Sequence, residues 1–174
     1  MDVTNYNELI NSSLDKDFEF LFAVESPPAS GEIEAFEREI GCSLPEDFKV
    51  LISSYLNGFY AEAKEEVWPR KQGGAYWMFQ YALVVYGLDA GLPDWVNLRA
   101  QVKTFRQNTD TDLTPFMRTI ASREPYCFTR TGNIVKWSVD RESPECIDMA
   151  FFDVFKLELS NIQKLKQKVV TDKI

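Results

Sequence analysis

The stretch Ile33-Glu34-Ala35-Phe36-Glu37-Arg38-Glu39-Ile40-Gly41-Cys42-Ser43-Leu44-Pro45-Glu46-Asp47-Phe48-Lys49, followed by Tyr55-Leu56-Asn57-Gly58-Phe59, decides how the rest of the chain is read. Ile33, Phe36 and Ile40 recur on one helical stripe, while Glu32, Glu34, Glu37 and Glu39 point away from it. Ser30 is placed to cap this helix, over 31–40, and Gly41 to stop it, because glycine takes left-handed backbone without steric penalty. Ser43 and Glu46 have the spacing of a capping box, and Pro45 falls in a first helical turn, where its missing N–H is not needed. Phe48, Leu51, Ile52 and Tyr55 then form the apolar face of a second helix that Asn57-Gly58 closes. The spacing predicts a helix–turn–helix over 31–56.

Upstream, Tyr6, Leu9, Ile10 and Leu14 keep a helical period behind Asn5, and Phe18, Phe20 and Phe22 alternate as in a strand that Pro27-Pro28 ends. Downstream, 59–74 reads as a loop carrying Glu62, Glu65, Glu66 and Trp68-Pro69, with Gly73-Gly74 at its end. Residues 75–88 are almost wholly apolar. Periodicity does not separate two buried strands from one buried helix there, and the aromatic and β-branched content favours strands. Pro93 opens a predicted helix with Trp95, Leu98, Val102 and Phe105 on its stripe, ending near Asn108. Residues 114–120 read as a strand. Tyr126–Thr129 and Ile134–Asp140, joined across Thr131-Gly132-Asn133, carry a hairpin signature. From Phe151 to about Val170 a final helix places Phe152, Phe155, Leu159, Ile162 and Leu165 on or near one stripe. Helices at both ends around several short strands give an α+β class, expected as a single domain with a mainly antiparallel sheet of about five or six strands.

Composition narrows the chemistry. The chain has 174 residues, enough to bury roughly 70% of its extended surface. It contains no histidine, which removes Ser-His-Asp and Cys-His catalysis and every histidine-based metal motif. Cys42, Cys127 and Cys146 are dispersed, form no CxxC pair and read as free thiols of a reducing cytoplasm. No GxSxG, Walker or GxGxxG pattern is present. The expectation is a non-enzyme without metal or cofactor, in the cytoplasm. With 19 basic against 27 acidic residues and a net charge of −8, nucleic acid and anionic membrane are poor partners. The N-terminus lacks the cationic region and apolar run of a secretory signal. The charge is uneven: residues 25–66 hold ten acidic side chains against three basic ones, Arg38, Lys49 and Lys64.

The opening stretch, with its Leu-Pro between helices and its Asn-Gly close, resembles the opening motif of the SUKH superfamily, whose namesakes are fungal cell-wall assembly and killer-toxin-resistance regulators. The hairpin with Gly132 and Trp137, and Phe151 opening the last helix, fit that family's C-terminal half. The resemblance runs from about residue 28 to 165, behind an N-terminal helix and lead-in, and Gly73-Gly74-Ala75-Tyr76-Trp77 is similar to one bacterial subgroup. Phe59 and Ala150 stand where the family usually has a second glycine and a small polar residue. The resemblance implies a non-catalytic protein-binding domain. In bacteria similar proteins are immunity proteins that bind and neutralise cognate toxins, commonly nucleases; fungal and animal relatives act as adaptors or regulatory scaffolds. A small-ligand module built on the aromatic Tyr76–Tyr86 region is the remaining alternative. The matched motifs are scaffold motifs, so they bring no functional residue with them.

A partner face is therefore sought among the residues themselves. Trp95, on a helical stripe, reads as core, and Trp137, alternating with Val135 and Val139, as core or sheet face, whereas Trp68 sits in a polar loop and reads as a partner contact. Glu62, Glu65 and Glu66 in the same loop, with Asp140 and Glu142 after the hairpin, would form an acidic surface for a toxin with a cationic cleft. Cys127, within an alternating strand, reads as buried and inert.

Overall fold

The structure is a computed structural model that describes residues 3–24, 26–54, 56–64, 66, 67, 82–119, 122 and 124–171, with side chains through 167. The order is α1 (Val3–Ser13), β1 (Phe18–Ala23), α2 (Glu32–Ile40), α3 (Glu46–Ile52), β2 (Phe59–Ala63), β3 (Ala82–Val85), α4 (Leu98–Thr109), β4 (Thr114–Thr119), β5 (Tyr126–Phe128), β6 (Ile134–Lys136), β7 (Glu145–Ile147) and α5 (Phe151–Thr171). The class is α+β as expected. Among the described residues the sheet has seven strands rather than five or six, each pairing antiparallel with its neighbour in sequence.

Two of the strands were not foreseen. β2 occupies the segment read as loop: Tyr60 and Glu62, two apart on a strand, share a face, and the buried Tyr60 hydroxyl donates to Glu62 Oε2 at 2.6 Å. That contact lets a carboxylate sit inside a sheet, which its charge alone argues against. β7 is three residues on an edge, too short to alternate visibly. Of the 75–88 run, Ala82–Val85 is a strand and 75–81 lies outside the described residues, as do Tyr55, the far end of the predicted second helix stripe, and Ile120, the far end of the 114–120 strand.

Helix ends also differ from their predicted positions. Gly31, with φ 80°, stands at the start of α2 in place of Ser30, with no side-chain cap, while Gly41 ends it as expected at φ 74°. No Ser43–Glu46 box forms at α3; the Leu44 N–H donates instead to Glu37 Oε1 at 2.7 Å. α4 begins at Leu98 and not at Pro93, because the Asn97 side chain accepts from the Ala100 N–H at 3.0 Å and caps it. α3 stops at Ile52, well before Asn57-Gly58.

Asn57 has a different task. It is fully buried, and its amide grips one residue of the far chain from both sides: Nδ2 donates to the Leu88 carbonyl at 2.9 Å and Oδ1 accepts the Leu88 N–H at 2.8 Å. Gly58 beside it, at φ 81°, lies against Gly87 so closely that a Cβ would fall 2.6 Å from the Gly87 nitrogen. The Gly87 N–H and carbonyl in turn bond Val96 and Leu98. One backbone crossing thus fixes the entry of β2, the exit of β3 and the start of α4.

α1, α3 and α5 pack together on one face of the sheet, over Phe59, Phe116 and Phe128. Phe116 is the extra residue of a bulge, since Pro115 faces Cys127 and Met117 faces Tyr126. The bulge accommodates a proline within an interior strand and turns the Phe116 ring into the core, where it stacks on Phe128 at 4.0 Å. α4 lies on the opposite face, with Phe105 edge-on to Trp137 at 5.1 Å, and Arg99 ties it to α2 through Glu32 and Glu39.

α5 is pinned to the start of β1. Lys166 Nζ lies 2.6 Å from Asp15 and 2.8 Å from Asp17, with its side chain 10% exposed, and Gln163 donates to the Ser13 carbonyl. Burial pushes the Asp15 carboxyl up, but the hydrogen bond and charge of Lys166 outweigh it and hold the group below its usual range. A carboxyl depressed in the fold contributes stability above its unfolded pKa of about 4, and that contribution is lost as pH falls through the depressed value. Between about pH 7 and about pH 3, urea melts are expected to show the wild type losing about 1 kcal/mol more than Lys166→Met, a small difference because the carboxylate is partly solvated.

Candidate functional site

The residues singled out for an acidic face fall into two settings. Glu62 is 8% exposed within β2 and serves the sheet through Tyr60. Glu66, Asp140 and Glu142 are exposed. Because the strands alternate in direction, the end of β2 and the end of β6 lie on one rim of the sheet. Glu66 therefore shares a rim with Asp140 and Glu142, at a distance of four strands, about 19 Å at about 4.8 Å per strand. Glu65 and Trp68 lie outside the described residues. On the same rim the Ser138 hydroxyl, with Arg141 and Lys136 nearby, lowers the pKa of Glu124, so its carboxylate is held charged.

A second surface was not legible in the sequence. Phe20 faces Ala61 and Phe22 faces Tyr60, so a bulge at Leu21 breaks the Phe-x-Phe alternation and sends the two rings to opposite faces of the sheet. Phe20 packs on Phe59 at 5.6 Å. Phe22 and Tyr60 each meet the Trp95 indole edge-on at 5.2 Å. Phe20, Leu21, Phe22 and Trp95 are nonetheless 39%, 47%, 42% and 37% exposed. Trp95 is thus not core as its stripe predicted: it precedes α4, in the turn that Asn97 ends. The patch lies along an edge strand, at the opposite end of β2 from Glu66. The exposed Asp94 adjoins it, next to Trp95 in the chain.

Cys127 is buried and its thiol is pushed up by burial, which keeps it in the unreactive form; Cys42 is half-buried and Cys146 exposed. Among the described residues no group of three or more Cys, Asp or Glu is arranged to hold a metal ion, and no helix is long and apolar enough to cross a membrane.

The helix pair and the Asn-Gly crossing lie in a stretch that matches a known family. The model of the SMI1 / KNR4 family (SUKH-1) matches residues 27–151. The chain belongs to the SUKH-1 family. The match spans α2 through β7 and ends where α5 begins. It takes in the Phe22–Trp95 patch at Trp95 and the whole acidic rim from Glu66 to Glu142. No curated protein matches the chain. SUKH-1 membership supports a protein-interaction domain in the broad sense.

Proposed function

We propose that this SUKH-1 chain is a non-catalytic immunity protein, which binds a cognate toxin domain with a basic surface and neutralises it by occupying that surface. The observation that carries the reading is the exposed aromatic patch on the β1 edge, Phe20-Leu21-Phe22 with Trp95. Large apolar side chains left exposed along a sheet edge mark interaction sites, and rigid aromatics are the commonest anchors of binding energy. The exposed Asp94 stands beside Trp95 in sequence, and Glu66, Asp140 and Glu142 extend the negative field across the molecule. Such charges steer a cationic partner and set the association rate more than the final affinity.

The test is co-expression with the toxin domain encoded directly upstream of this gene. Restored growth, with a stoichiometric complex on purification, is the expected outcome. A neighbouring toxin that this protein neither binds nor silences overturns the reading. In the complex, Trp95→Ala is expected to weaken binding by about 2 kcal/mol, a loss of roughly 30-fold in Kd. Glu66→Lys combined with Asp140→Lys is expected to slow association, more at low salt than at physiological ionic strength, where screening acts within about 8 Å. Titration calorimetry and stopped-flow binding separate the two effects.

A further inference from the structure

On the sheet face opposite α5 there is a cleft of about 260 Å³ between α4 and strands β3 and β4, closed at one side by the exit of β6. The rings of Tyr86, Phe105 and Trp137 line it, and Thr104 and Asn108 add polar side chains from α4. Arg118 is the one charged residue among those that line it. Among the described residues, Arg118 Nε is the one buried side-chain nitrogen or oxygen without a hydrogen-bond partner.

This combination is uncommon. A guanidinium cannot shed its charge when desolvated, as an ammonium can, and it presents its donors as a planar fork. Buried donors are nearly always satisfied, and one that is not calls for a partner. The described residues supply none here, although they pair Arg99, Arg130 and Arg141 with carboxylates. The Tyr86 phenol is pushed up to about 12, chiefly by burial, so it stays a neutral donor through the physiological range.

We propose that this cleft binds a small planar carboxylate, with the anion on the Arg118 fork and its apolar body among Tyr86, Phe105 and Trp137. A carboxylate matches the guanidinium two-to-two, which a point anion does not. The cleft displaces roughly nine waters at about 30 Å³ each, which suits a single ring with one acidic substituent. The acid can be a free metabolite or the carboxylate end of a polypeptide. The cleft adjoins the acidic rim at Pro125 and Trp137 but shares no residue with the aromatic edge or with Glu66, Asp140 and Glu142, so it stands or falls independently of the toxin-binding reading.

The experiment titrates the purified protein with benzoate and with benzamide, its uncharged isostere, following the Trp137 indole N–H resonance. Benzoate is expected to bind with a Kd of about 1 mM, as a ligand of so few atoms does, and benzamide at least about tenfold more weakly. Arg118→Gln is expected to abolish that difference. N-acetylphenylalanine and its amide form the second arm: tighter binding of the acid than of benzoate assigns the site to a chain end, and the reverse order to a free metabolite. Equal binding of benzoate and benzamide overturns the proposal, as does the absence of a shift with any acid up to about 20 mM. Inorganic phosphate binding as well as benzoate also overturns it, because charge alone would then explain the contact. The benzoate and benzamide comparison on the wild type decides the matter even if the variant fails to fold.

Discussion

Gly87→Ala is expected to remove most of the protein's stability, about 4 kcal/mol or more, although it adds one methyl group. The Cβ would stand 2.3 Å from the Asn57 carbonyl oxygen and 2.5 Å from the Gly58 nitrogen. Both are backbone atoms, with no rotamer to yield. Relief requires the two chain segments to part, and parting them breaks the Asn57 hydrogen bonds to both polar groups of Leu88. Those groups are buried, so each would be left unsatisfied at a cost of about 1–3 kcal/mol. Gly41→Ala is the control. A Cβ there meets nothing within 4 Å, and only the left-handed backbone at φ 74° resists it, so about 1 kcal/mol is expected. Urea denaturation of the two variants beside the wild type checks the contrast. A Gly87→Ala protein as stable as Gly41→Ala would mean that the crossing is loose.

Phe116→Ala is expected to cost about 4 kcal/mol, as full truncation of a buried ring usually does. The ring is fully buried. Besides its stack on Phe128 it meets Phe48 at 5.8 Å and Phe151 at 5.4 Å, joining β5, α3 and α5. Phe22→Ala removes the same atoms from a ring that is 42% exposed and should cost about 1 kcal/mol or less. The same melts read both. A Phe116→Ala loss no larger than that of Phe22→Ala would show that the core refills the space.

Much of this architecture could be read from residues whose neighbours along the chain determine their fate. The stripe Phe36–Ile40, the stop at Gly41 and the hairpin at Gly132 are local, and they stand where periodicity put them. What escaped depends on partners far away in sequence. Glu62 marks a loop until Tyr60 and the flanking strands are seen to enclose it. Asn57-Gly58 resembles a helix stop, yet its purpose is set by Gly87 and Leu88, about thirty residues on. The bulge at Leu21, which splits Phe20 from Phe22 and exposes Trp95 beside the latter, arises from the register with β2. Arg118 did leave a trace, a lone charge within Phe116-Met117-Arg118-Thr119, but only the surrounding walls show it without a partner.

The position of α5 bears on how the protein is made. The rings of Phe59, Phe116 and Phe128 belong to strands that leave the ribosome before Phe151 and Phe155 arrive to cover them. Chain growth runs at about 5–20 residues per second, and until residues 151–166 emerge the aromatic face of the nascent sheet has only α1 and α3 to cover it. The meander can pair strand by strand during that time, because each strand bonds the one translated just before it, yet it cannot become watertight. Final closure, with Lys166 reaching Asp15 and Asp17 across about 150 residues, comes last in the order of synthesis. A chaperone that shields nascent apolar surface would meet this chain in that interval, and a premature stop before α5 would release a sheet prone to aggregate rather than a smaller working domain.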